Sequence, residues 1–134
     1  MHEVCVVHDF DAGIEQVFAG ISDHVGFLST ANIQCRMVRK GDTDPNGLGA
    51  MREVRKGNIL FQETINAFDP PHAYEYRILS LRGPLNIKLP FHHEHGRLEL
   101  HGVDGKTRIE WTSRFRFSVP IVGKWIERKL GKSI

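Results

Sequence analysis

Thr107-Arg108-Ile109-Glu110-Trp111-Thr112-Ser113-Arg114-Phe115-Arg116-Phe117, followed by Ser118-Val119-Pro120-Ile121-Val122-Gly123-Lys124-Trp125-Ile126-Glu127-Arg128-Lys129-Leu130, decides the fold. In the first part Ile109, Trp111, Phe115 and Phe117 share one parity, against Arg108, Glu110, Thr112, Arg114 and Arg116 on the other. That is the period of a half-buried strand. In the second part Pro120 suits the first position of a helix. Ile121, Val122, Trp125, Ile126 and Leu130 then share a face opposite Lys124, Glu127, Arg128 and Lys129. A strand period therefore gives way to a helix period at Pro120. A sheet with one closing helix must cover one of its faces with that helix.

Upstream of this stretch the chain reads almost entirely as strands and turns. Ile33–Lys40, Ala50–Lys56, Ile59–Phe68, His72–Ser80 and Phe91–His101 carry strand patterns. The 41–49 loop is dense in Gly, Asp, Pro and Asn, Lys56-Gly57-Asn58 suits a tight hairpin, and Asp69-Pro70-Pro71 breaks the chain. Leu81–Pro90 reads as a longer connection. Before them, Met1–Phe10 reads as a first strand. Asp11 is the expected cap of a helix whose Ile14, Val17, Phe18 and Ile21 fall at i, i+3, i+4 and i+7. Ser22-Asp23 offers a second cap, for a short helix over His24–Ser29.

The 134 residues fit one domain over 1–134. A formal net charge of +2, from 18 basic and 16 acidic residues, leaves no strong field for nucleic acid. No apolar run approaches the roughly 20 residues needed to cross a bilayer, and no export signal is evident. Cys5 and Cys35 are the two cysteines, in a spacing that suggests neither a metal site nor a disulfide framework. A cytoplasmic protein without cofactor is the expectation.

Parity assigns the residues of the sheet's inner face. Leu98 and Leu100 point inward, and strict alternation carries His92, Glu94 and Gly96 with them. Ile59, Phe61 and Ile65 bring Glu63 inside, while Ala50 and Val54 bring Arg52. Tyr74, Tyr76 and Ile78 share one parity. A single bulge would reverse any of these assignments.

Several segments, in this order, resemble the START/Bet v 1-like (SRPBCC) superfamily, in its polyketide cyclase/dehydrase-type branch. They are Ala12–Asp23, Pro45–Val54 (Pro-Asn-Gly-Leu-Gly-Ala-Met-Arg-Glu-Val), Ala67–Pro71, Tyr74–Ile78 and Trp111-Thr112-Ser113. The resemblance covers nearly the whole chain and implies an α+β helix-grip fold. In that fold a seven-stranded antiparallel sheet wraps around a C-terminal helix, two short helices follow the first strand, and a deep cavity lies between sheet and helix. The family order also implies that Cys5 and Cys35 lie on opposite sheet edges, too far apart to bridge. The family binds apolar or amphipathic molecules and shares no catalytic triad, so the resemblance carries over no catalytic residue. The closing helix is usually longer in the family. Eleven residues here would span roughly 16 Å, leaving the cavity less covered or covered by a neighbouring molecule, as in a homodimer.

Each chemically suggestive group has a functional and a plain reading. His92 and Glu94, if both face the cavity, could form an acid/base couple; at a strand end they would be wet and ordinary. His93 and His95 could begin a zinc site, but no third ligand follows by spacing, and none is assigned. Arg52 and Glu63 lie on adjacent strands and should pair if both point inward. The pair is either structural or a means of orienting a ligand carbonyl or carboxylate through Arg52. Tyr74, Tyr76 and Trp111 suit a ligand cavity or a plain core. The primary expectation is a protein that binds a lipid- or polyketide-like molecule in the cavity. The alternatives are a polyketide cyclase or dehydratase using His92 and Glu94, and a partner-binding module using the same groove.

Overall fold

Val103 and Lys106 close an exposed hairpin between the two longest strands of the sheet. The residues between them, Asp104 and Gly105, have φ of 52° and 75°, the positive angles of a two-residue turn that matches strand twist. The computed structural model describes residues 2–89 and 91–117. They form β1 (His2–Phe10), α1 (Ile14–Ser22), α2 (His24–Leu28), β2 (Gln34–Arg39), β3 (Met51–Lys56), β4 (Ile59–Asp69), β5 (Ala73–Arg82), β6 (Phe91–Val103) and β7 (Lys106–Phe117), with a 3-10 turn at Pro84–Asn86. The expected closing helix over Pro120–Leu130 lies outside the described residues.

The seven strands make one antiparallel sheet in the order β1-β7-β6-β5-β4-β3-β2. β1 and β2 are its two edges. Cys5 on β1 and Cys35 on β2 therefore stand at opposite edges, and no disulfide joins them, as the topology implies.

α1 and α2 link the two edges and cover part of the inner face. Val17, Phe18, Ile21 and Leu28 are buried against a strand layer that includes Val54, Phe61, Ile65, Leu98, Ile109 and Phe115. Aromatic contacts fix this packing: Phe18 meets Phe68 and Tyr74, and Phe27 meets Trp111. The N-cap of α1 is Gly13, without a side-chain bond, and not Asp11. The helix start is held instead by a distant strand, where the Thr107 hydroxyl donates to the Ala12 carbonyl at 2.8 Å. Asp23 does cap α2, accepting from the Gly26 amide.

The outer face of the sheet is laced with ion pairs such as Arg108–Asp9, Arg114–Glu3 and Arg97–Glu99. Among the described residues, no helix is long and apolar enough to cross a membrane.

Candidate functional site

Arg52 is the largest polar group in the interior. It lies on β3, only 1% exposed, between the buried Ala50 and Val54. Burying a guanidinium is tolerated only when its donors are matched. Its Nε donates to Glu63 Oε1 at 2.8 Å, and its Nη1 donates to His24 Nδ1 at 2.8 Å. Its guanidinium carbon stands 4.9 Å from the centre of the Tyr76 ring, a favourable cation–π position. Glu63 is the cross-strand partner of Arg52 in the β3–β4 ladder, so the tight turn at Gly57-Asn58 sets this pairing.

The neighbours fix the protonation of His24. Arginine can only donate, so Nδ1 must accept and Nε2 must carry the proton. Nε2 donates to the Asn46 carbonyl at 2.8 Å. The imidazole is neutral: burial, then the Arg52 charge, push its pKa down to about 3. Arg52 itself is held charged. Burial works most strongly against the cation, but Glu63, together with smaller contributions from Tyr74 and Tyr76, outweighs it and raises the pKa.

Two tyrosines and a tryptophan complete the cluster. The Trp111 indole donates to the Tyr76 hydroxyl at 2.9 Å, and the Tyr74 hydroxyl donates to the Ile21 carbonyl at 3.3 Å. Tyr74, Tyr76 and Trp111 are each at most 2% exposed. Burial raises the pKa of both tyrosines, so they remain phenols. Tyr76 can lie across β6 because its cross-strand partner is Gly96. Among the described residues, every buried side-chain nitrogen and oxygen has a partner.

An open apolar space lies beside this cluster rather than within it. Phe10, Ala12, Val17, Gly20, Ile21 and Phe27, with Gln16 as a polar member, line a groove of about 360 Å³ at the junction of β1, α1 and α2. Phe27 links the two regions through its ring contact with Trp111.

The structure thus brings Arg52, Glu63, Tyr74, Tyr76 and Trp111 together on the inner face. It does not extend strict alternation to His92. The β6–β7 ladder shifts register between His93 and His95, so His93, not Glu94, is paired with Phe115, and Phe91, not His92, with Phe117. One extra residue in β6 cancels the parity argument that gave His92 and Glu94 a common inward face. Their side chains lie outside the described residues. Among the described residues, no cluster of three or more His, Cys, Asp or Glu could hold a metal ion.

Sequence reading passed over His24. A signal was present: Ile21, His24 and Leu28 stand at i, i+3 and i+7, continuing the buried stripe of α1. The capped break at Asp23 concealed that continuity.

Comparison with known proteins agrees with this architecture. No curated protein matches. Among solved structures, a protein from Nitrosospira multiformis is 21% identical with a TM-score of 0.68, over 96% of this chain and 90% of that one. A START superfamily protein from Mycobacterium smegmatis has a TM-score of 0.72 at 10% identity, over 96% and 86%. The Aha1 dimer from Colwellia psychrerythraea has 0.64 at 12% identity, over 96% and 87%. At these identities the likeness is one of fold: a seven-stranded antiparallel helix-grip sheet. Residues 1–134 in full match the family described as polyketide cyclase/dehydrase and lipid transport, and the chain belongs to that family.

Proposed function

We propose that this protein binds a hydrophobic or amphipathic small molecule, lipid- or polyketide-like, on the inner side of its sheet. The observation that carries the reading is the groove at the β1–α1–α2 junction. Its lining is almost wholly apolar, and its volume of about 360 Å³ falls in the range of small-molecule sites. The family description, which includes lipid transport, supports it. Tyr74, Tyr76, Trp111 and the Arg52–Glu63 pair form a fixed polar backing to that side, and His92 and Glu94 are proposed to complete the lining. The protein is read as cytoplasmic, without cofactor or nucleic-acid partner. The Aha1 neighbour is a dimer, and a homodimer is proposed as the means of covering an open cavity.

Titration with cis-parinaric acid tests the reading. Saturable one-to-one fluorescence enhancement is expected, with Phe27→Asp weakening it roughly tenfold or more. Non-saturable binding, or equal affinity in that variant, would overturn it.

The family description also names cyclase and dehydrase chemistry. The enzymatic alternative assigns His92 and Glu94 as general acid and base. In that case His92→Asn and Glu94→Gln would lower turnover of a polyketide-like substrate roughly 10²- to 10⁴-fold at unchanged affinity. Loss of affinity without any turnover would leave the binding reading.

A further inference from the structure

The loop joining β5 to β6 holds two leucine-class side chains where solvent should reject them. Leu85 is 93% exposed and Ile87 58%. Leu85 also has φ 60° and ψ 23°, the left-handed region where a side chain branched at Cγ is disfavoured and Gly or Asn is at ease. An exposed turn position with this backbone gains nothing from a leucine in water.

The loop is nonetheless well built. The Gly83 amide donates to Ile87 O and the Leu89 amide to Leu81 O, both at 2.8 Å. Arg82 Nη1 donates to Asn86 O at 3.2 Å, and Arg82 and Lys88 form a bridge. The apolar tip is therefore displayed on a braced stem.

In the two chain segments that adjoin it, the charge has one sign. Leu60 pairs with Arg82, which sets the β3–β4 hairpin beside this loop. The two adjoining segments, 55–60 and 82–89, contain Arg55, Lys56, Arg82 and Lys88 and no acidic residue. Between Arg55 and Arg82, against Leu85, lies a hollow of about 220 Å³. It has room for a phosphate-sized group.

We propose that this end of the sheet docks on an anionic lipid surface. Leu85 and Ile87 enter the acyl boundary, and Arg55, Arg82 and Lys88 meet the headgroup phosphates. Exposed apolar side chains ringed by cations are the chemistry of interfacial attachment, in which apolar burial and electrostatic attraction add. A protein surface could use the leucine and isoleucine, but an all-basic rim with a phosphate-sized hollow between two arginines favours lipid. The proposal does not rest on the ligand reading, because a protein with an empty groove would dock equally well.

The test is co-sedimentation of the full chain with phosphatidylcholine vesicles, with and without about 30% phosphatidylglycerol. Binding is expected only to the anionic vesicles, weakening as salt is raised. Leu85→Asn should lower the partition roughly tenfold while leaving the urea midpoint unchanged or higher, since asparagine suits the left-handed backbone. The double charge reversal Arg55→Glu/Lys88→Glu should abolish binding. Wild-type protein that stays in the supernatant, or a Leu85→Asn protein that partitions like wild type, overturns the proposal. So does a dimer in lipid-free sedimentation velocity that disappears in Leu85→Asn and is accompanied by no vesicle binding. That result would assign the tip to a second copy of the chain.

Discussion

The ring of Tyr76 lies over Gly96, its cross-strand partner on β6, so closely that a Cβ at position 96 would fall among the ring atoms. The missing side chain is what allows the Tyr76 hydroxyl to reach the Trp111 indole and the ring to sit under the Arg52 guanidinium. Gly96→Ala is therefore expected to displace the ring and break both contacts, at a cost of about 2–3 kcal/mol. Urea denaturation measures this. Unchanged stability would contradict the packing.

The Arg52–Glu63 pair should behave asymmetrically. Arg52→Met leaves a carboxylate in a site where Glu63 has no exposure, and should cost about 3–5 kcal/mol. Arg52→Met/Glu63→Leu should cost less than that single change, because no unmatched charge remains. A double-mutant cycle by urea denaturation decides it. Additive losses would mean that the two groups do not interact.

His24 makes stability depend on pH in a defined direction. Its folded-state pKa is pushed down to about 3, against an ordinary 6.5. The unfolded chain thus takes up a proton in the window between these values, and the folded chain does not. The contribution of His24 is complete above pH 6.5 and is lost as pH falls from 6.5 toward 3. The loss is roughly 2 kcal/mol at pH 5. Urea midpoints at pH 7.5 and pH 5 should differ by less in His24→Gln, even though that variant is weaker overall. An equal pH difference in the two proteins would rule this out.

The two thiols should label at different rates. Cys5 is exposed on one sheet edge and Cys35 is buried on the other. Ellman's reagent should modify one thiol quickly in native protein and the second only on unfolding. Two fast equivalents, or none, would contradict the edge assignment.

Much of this fold was readable because strand and helix periods differ. The Arg52–Glu63 contact followed from inward parity on two strands and a tight turn between them, and the ladder pairs these residues directly. The number of strands came from the resemblance and not from periodicity. The reading failed where one residue breaks the period. The register shift between His93 and His95 interrupts the strict alternation by which His92 was read with Leu98 and Leu100. A second shift, between Gln62 and Glu63, moves burial on β5 from Ser80 to Leu81. A bulge reflects local twist and tertiary packing, and alternation alone does not register it. His24 escaped notice for a similar reason. Its partners, Asn46 and Arg52, are 22 and 28 positions away, and no local pattern links them.

The position of β1 has a consequence for how the chain reaches its native state. β1 precedes the other six strands in sequence and, among the described residues, pairs with β7, the last of the seven; Cys5 and Thr112 meet across 107 positions of sequence. The strands from β3 to β7 can zip as successive hairpins, each closing a short loop. β1 cannot join until that meander is nearly complete. Until then α1 lacks the Thr107 hydroxyl that anchors its start. Closing so long a loop is slow relative to local pairing. During synthesis the valine-rich β1 segment therefore stays unpaired until β7 has emerged. That interval, rather than the native state, is when this protein is most exposed to aggregation.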